Sequence, residues 1–111
     1  QVLYTKESRG KKFAVCDGGM TQNQAAIGIG QILRRNFPIC VLEEPQAGSS
    51  VEVVSLVGPS CYSIDVLAAD VELPPLSKGR YIVIGQCGAY GPSFSPGDFL
   101  SRPKANEYVT P

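Results

Sequence analysis

Glycine and proline interrupt this chain at short, recurring intervals, and that punctuation limits what it can fold into. Twelve glycines and nine prolines fall among 111 residues, and the stretches between them are brief and β-prone. Residues 2–7 begin β-prone and turn polar, residues 8–11 read as a turn, and residues 12–16 return as a second strand, so 2–16 predicts a hairpin. The adjacent glycines of Asp17-Gly18-Gly19 end it, because they permit backbone angles that other residues avoid. Residues 20–37 read as a loop with one helical turn, since Gly28 and Gly30 weaken the helical spacing of Ala25, Ala26, Ile29, Ile32 and Leu33. A strand is expected over 38–42, a polar loop over 43–50 and a strongly β-prone strand over 51–57. A turn or helical turn follows over 65–69, then an edge segment over 71–75 that ends in two prolines. Residues 77–79 form a turn, 81–85 a buried strand, 92–104 a loop and 107–110 a last short strand. Short strands between glycine and proline turns indicate an all-β domain, a sandwich or barrel.

A chain of this length suits one domain with a modest core. Apolar residues make up 43% and charged residues 18%, which fits a globular rather than a disordered chain. Ten basic and ten acidic residues cancel, with no basic stripe, so neither a nucleic-acid nor a membrane partner is expected. No apolar run approaches the roughly 20 residues that span a bilayer, and the first residues lack a signal pattern. The chain does not begin with Met, and the expectation is a piece of something longer.

Cys16, Cys40, Cys61 and Cys87 form no C-x-x-C pair, and the chain contains no His. No metal site is expected. Cys16, Cys40 and Cys87 lie in or beside apolar runs, which reads as buried reduced thiols in a cytoplasmic protein. Without His, no Ser-His or Cys-His nucleophile can be built, and any acid or base must be Cys, Tyr, Lys, Asp or Glu.

Three segments have more character than a generic β-domain needs. In Gly58-Pro59-Ser60-Cys61-Tyr62-Ser63-Ile64-Asp65 a sharp corner follows a strand, so Cys61 projects from the strand end, where sites collect. The plain alternative is a loop with a buried Cys. Gly88-Ala89-Tyr90-Gly91 places a phenol at a glycine-flanked bend, suited to an anion such as phosphate, although a Tyr capping the core is commoner. Asp17-Gly18-Gly19-Met20 by itself predicts only a turn. Gly28-x-Gly30 lacks the third glycine and the lysine of a nucleotide loop.

In order, the chain reads Val15-Cys16-Asp17-Gly18-Gly19-Met20, Gly58-Pro59-x-Cys61-x-x-x-Asp65-Val66-Leu67, Leu73-Pro74, Gly79-x-Tyr81, Gly88-Ala89-Tyr90-Gly91 and Phe99-Leu100-Ser101-Arg102-Pro103. Over nearly its whole length this resembles the C-terminal domain of the ornithine/diaminopimelate/arginine decarboxylases, fold-type III pyridoxal-phosphate enzymes related to alanine racemase. The resemblance implies a Greek-key-like β-barrel or sandwich over residues 1–111. It also implies a missing N-terminal (β/α)8 barrel that holds pyridoxal 5'-phosphate on a Schiff-base lysine. None of the five lysines here matches that position. The implied partners are that barrel, a second subunit of a homodimer, and an amino-acid substrate at a site between subunits. By the same resemblance Cys61 is the acid that reprotonates the α-carbon after carbon dioxide leaves, Tyr90 hydrogen-bonds the cofactor phosphate, and Asp65 closes the cysteine motif in a supporting or specificity role. A thiol, with a reference pKa of about 8.5, carries the needed proton near neutrality.

The chain departs from the family pattern at specific places. The residue after the cysteine, commonly an acid that binds the distal ammonium of a diamino substrate, is Tyr62. The Arg-Pro that follows Asp-x-Gly-Met in diaminopimelate decarboxylases is replaced by Thr21-Gln22-Asn23-Gln24. Both changes weigh against diaminopimelate. The run Ala25-Ala26-x-Gly28-x-x-Gln31-x-x-Arg34-Arg35-Asn36-x-Pro38 resembles a subgroup of siderophore, secondary-metabolite and exopolysaccharide-associated decarboxylases, some acting on large or carrier-tethered substrates. That subgroup has histidines where this chain has Gln22 and Asn23. Arg34 and Arg35 then read either as contacts to an acidic substrate or carrier, or as a solvated pair.

The reading is therefore the β-domain of an amino-acid decarboxylase, inactive in isolation, with Cys61 catalytic, Tyr90 cofactor-binding, and Tyr62 and Asp65 at specificity positions. Two alternatives stay open: a non-catalytic decarboxylase-like regulatory module, and an amino-acid racemase domain.

Overall fold

The computed structural model describes residues 1–43 and 47–111. The polar loop expected over 43–50 falls in part on residues 44–46, outside the described residues.

Strands β1 (Val2–Ser8) and β2 (Lys11–Cys16) form the expected hairpin, with Ser8 opposite Lys11. The two residues between them, Arg9 and Gly10, have φ of 51° and 73°. Two consecutive left-handed residues make the turn whose twist matches that of paired strands, and Gly10 adopts its angle without strain. On its other side β2 pairs in parallel with β4 (Glu52–Val57), and β4 pairs antiparallel with β5 (Val66–Leu73), giving the order β1-β2-β4-β5. Strands β3 (Ile39–Val41) and β6 (Ile82–Ile84) form a separate antiparallel ribbon.

The core lies on one face of the larger sheet, and period-two alternation decides which residues enter it. Thr5, Ala14, Leu56 and Ala68 stand in one row across the sheet, and the last three are 0% exposed. The ribbon contributes Ile39, Val41, Ile82 and Ile84 from its inner face. Met20, Ala26 and Ile27 fill the space from the loop between β2 and β3, where Gln24–Ile27 makes the expected single helical turn.

Several expectations are corrected. Residues 65–69 are not a turn. From Val66 they form the first half of β5, because β4 would otherwise leave its outer backbone groups unpaired, and tertiary pairing outweighs weak local preference. A bulge disguises this strand in the sequence. Asp70 has φ 48°, the register jumps between the Leu56–Ala68 and Val54–Val71 pairs, and the Asp70 amide donates to Ser55 Oγ at 3.0 Å. The loop expected over 92–104 contains a one-turn helix, Gly91–Phe94, and a short 3₁₀ turn, Phe99–Ser101. No strand forms at 107–110. Tyr108 and Val109 are 85% and 98% exposed, so their apolar side chains bury nothing that would favour a strand there. Cys40 is exposed rather than buried, since it points outward from the ribbon opposite Val83. Among the described residues the strands make two sheets, mostly antiparallel, and the parallel pairing of β2 with β4 departs from a simple meander.

Candidate functional site

Asp65 is 3% exposed, and its carboxylate ties two distant motifs together. Oδ1 accepts the Met20 amide at 2.7 Å. Oδ2 accepts the Ser60 amide at 3.2 Å and the Ser60 hydroxyl at 2.6 Å. A buried carboxylate requires such donors, and bonds to a charged acceptor are the stronger kind. The approach is so close that a Cβ on Gly19 would lie 2.5 Å from Oδ1, and one on Gly58 would lie 2.3 Å from either oxygen. Neither glycine has a positive φ. They are needed here for the side chain they lack, not for unusual backbone angles.

The backbone of the same residue closes the corner after β4. The Gly58 amide donates to the Asp65 carbonyl at 2.9 Å and the Asp65 amide to the Tyr62 carbonyl at 3.0 Å. The loop is thus folded back on itself, with Cys61 and Tyr62 at its exposed crest. The C-terminal motif buttresses it. Arg102 donates to the Pro59 carbonyl at 2.7 Å, and the Phe99 and Tyr62 rings pack at 6.0 Å with a 50° tilt. Gln22 joins the third motif: its Oε1 accepts the Gly19 amide at 2.7 Å, and its Nε2 donates to the Pro103 carbonyl at 3.1 Å.

Cys61 and Tyr62 wall a groove of about 430 Å³. Its floor is the outward face of the larger sheet, where Tyr4, Val15, Val57 and Val66 form a row across all four strands. Lys6 and Ser8 lie on the same face of β1 and complete the rim. Lys6 and Ser60 were not singled out from sequence. The alternation of β1 places Lys6 on this face, but only the parallel pairing of β2 with β4 brings it beside the cysteine loop.

Tyr90 is placed differently. It lies outside the groove and 74% exposed, at the start of the Gly91–Phe94 helical turn, so it does not cap the core. Ser95 hangs this turn on the 24–27 turn: its hydroxyl donates to the Gly91 carbonyl at 2.6 Å and accepts the Gln24 amide at 2.8 Å. The Tyr90 hydroxyl has no partner among the described residues and is free to donate to an anion.

Of the remaining thiols, Cys16 is buried, and desolvation raises its pKa from 9.0 to about 11, opposed by the positive N-terminus and helped by the Asp17 and Asp65 carboxylates. Cys87 accepts from the Asn23 side-chain Nδ2 at 3.0 Å and donates to the Ile84 carbonyl at 3.1 Å. The arginine pair separates into two roles. Arg34 donates to the Val66 carbonyl, while Asn36 exchanges hydrogen bonds with Ala69 at 2.8 and 3.0 Å. This segment therefore covers the outer edge of β5, the device that keeps an edge strand from pairing elsewhere. The Arg35 side chain has no partner among the described residues and is exposed.

Residues 1–88 match the family model described as the pyridoxal-dependent decarboxylase C-terminal sheet domain. The chain is 38% identical over 111 residues to an L-glutamyl-[BtrI acyl-carrier protein] decarboxylase from Niallia circulans, covering 98% of this chain and 26% of that protein. It is 36% identical over 107 residues to a diaminopimelate decarboxylase from Helicobacter pylori, covering 96% and 25%. A crystal structure of a protein from Aquifex aeolicus superposes with a TM-score of 0.82 at 30% identity, over 95% of this chain and 24% of that one. The chain thus spans about a quarter of the length of the curated relatives it matches.

Proposed function

The chain belongs to the pyridoxal-dependent decarboxylase family as a C-terminal sheet domain, and from that premise we propose that it completes amino-acid decarboxylase active sites that it does not form alone. The observation that carries this reading is the cysteine loop: an exposed thiol on a crest that Asp65, Gly19 and Gly58 hold in place from below.

When bound, the cofactor supplies an electron sink for the pair left behind as carbon dioxide departs. The residues of this chain do the rest of their share by position. Cys61 delivers the proton to the α-carbon from one face, and its thiol stands in solvent at the groove wall rather than within the core. Tyr90 fits a phosphate: its hydroxyl is a neutral donor and is not used inside the domain. Tyr62 occupies the specificity position with a ring steadied by Phe99. Asp65 acts through the loop it holds, since its carboxylate is taken up by Met20 and Ser60.

In this reading an N-terminal (β/α)8 barrel carries the cofactor, and a homodimer places Cys61 and Tyr90 in two different active sites. Support for such an assembly is the exposed apolar surface around both residues, with Tyr62, Ile64, Phe94 and Leu100 at 47%, 40%, 50% and 50% exposure. Free thiols throughout the chain suit a cytoplasmic setting. For the substrate we favour an amino acid other than diaminopimelate, with a carrier-tethered glutamyl group as the leading class. Its support is the relative from Niallia circulans and the absence of an acid at position 62.

The test compares the isolated chain with the full-length protein that contains it. The isolated chain is expected to show neither cofactor absorbance nor carbon dioxide release. In the full-length protein Cys61→Ala is expected to lower kcat about 100-fold or more while cofactor absorbance is retained. Unchanged rates and products would remove Cys61 from the mechanism.

A further inference from the structure

The groove beside Cys61 has an uneven charge. Lys6 and Asp65 are the Lys, Arg, Asp or Glu side chains that line it. Asp65 presents no free carboxylate to an occupant, because it is 3% exposed and its oxygens face Met20 and Ser60. Lys6 is exposed and has no anionic partner among the described residues. Its neighbours on the hairpin differ: Lys11 pairs with Asp70 at 3.2 Å and Lys12 with Glu52 at 2.5 Å. Glu7, the next residue, falls on the opposite face of β1 by strand alternation. The occupant of the groove therefore meets one unneutralised ammonium, several hydroxyls and an apolar floor, with no carboxylate to receive a cation.

We propose that Lys6 is a specificity-determining residue that receives an anionic distal group of the substrate, a carboxylate or a phosphate, and disfavours a distal ammonium. This rests on the reading above, in which the Cys61 groove forms part of a decarboxylase site. It extends that reading to a residue on β1, far in sequence from the cysteine motif. The physical basis is charge complementarity: an anion in the groove meets an unpaired ammonium and no free carboxylate. Tyr62 fits the same role, since its phenol donates to an anion and offers no charge to an ammonium.

The experiment uses the full-length protein and measures decarboxylation of four compounds: glutamate, glutamyl pantetheine, glutamyl phosphopantetheine and lysine. The wild type is expected to favour a glutamate-based compound over lysine. Lys6→Gln is expected to raise KM at least tenfold for whichever compound carries the recognised anion, with a much smaller change in kcat. Lys6→Arg, which keeps the charge, is expected to stay within threefold of the wild type. A KM rise for free glutamate assigns the contact to a carboxylate. A rise only for the phosphopantetheine compound assigns it to the phosphate. Lys6→Glu is expected to shift the preference toward lysine. A KM within twofold of the wild type for every glutamate-based compound in Lys6→Gln overturns the role of Lys6. So does a wild type that prefers lysine, although the decarboxylase reading then survives. A wild type that retains cofactor absorbance but decarboxylates none of the compounds overturns this substrate class. One that also lacks the absorbance overturns the underlying reading as well.

Discussion

The cysteine loop and the tyrosine segment present their functional groups in opposite ways. Residues 58–65 close over a buried carboxylate that reaches both the glycine bend at 19–20 and the Gly58 corner, and the C-terminal motif braces the outside. Residues 90–95 form a single helical turn held to the body of the domain through Ser95, with Tyr90 in solvent. The first region carries its own organisation within this chain. In the proposed function, the second offers a donor whose final position is set by the rest of the enzyme. Preorganisation matters most where a proton must arrive at one face of an atom, as proposed for Cys61, and less where an exposed hydroxyl need only meet a phosphate, as proposed for Tyr90.

This contrast is open to direct attack, and the largest effect is expected at Asp65. Asp65→Ala leaves the Met20 amide and both Ser60 donors without their acceptor, and a loss of about 3–5 kcal/mol in urea unfolding is expected. A loss below about 1 kcal/mol would show that the loop does not depend on this carboxylate.

The next effect is a pH dependence at Cys16, which lies beneath the same glycine bend. Burial raises its thiol pKa to about 11 in the folded chain against an ordinary 9.0. The unfolded thiol then ionises first. Its contribution is fully present below about pH 9 and is lost as pH rises toward 11, by about 2–3 kcal/mol in all. The difference between wild type and Cys16→Ala in stability should therefore shrink across that window. A constant difference would mean that the folded thiol ionises freely.

Smaller effects belong to the second region. Ser95→Ala removes a hydroxyl that both donates and accepts, and should cost about 1 kcal/mol while increasing amide exchange over 90–95. Tyr90→Phe should change stability by less than about 0.5 kcal/mol, because its hydroxyl bonds nothing within the domain, yet should weaken cofactor retention in the full-length protein about tenfold. A large stability loss at Tyr90 would erase the distinction between the two regions.

The sequence made some of this legible and concealed the rest for physical reasons. The hairpin over 2–16 was readable because alternation and an Arg-Gly turn agree. The exposed position of Cys61 followed from a glycine-proline corner after a β-prone run. The edge segment expected over 71–75 is the second half of β5, but its first half was hidden because Asp70 reads as a break, whereas it is a bulge residue whose amide is satisfied by Ser55, far away in sequence. Asp65 was visible as a motif member but not as the link to Gly19, since nothing local connects positions 46 residues apart. Arg34 read as a contact to an acidic substrate or as one of a solvated pair, because the edge that it and Asn36 cover belongs to the half of β5 that local sequence presents as a turn. Lys6 gave no signal at all, because its neighbourhood is created by sheet order.

The most direct measurement of the central claim is the stereochemistry of α-carbon protonation in heavy water by the full-length protein. With Cys61 held on its braced loop, the wild type should place deuterium on a single face of the product carbon. Cys61→Ala should slow turnover about 100-fold or more and scramble that stereochemistry, and Asp65→Asn should retain the thiol but scramble in part. Single-face deuteration at the wild-type rate in Cys61→Ala would contradict the account.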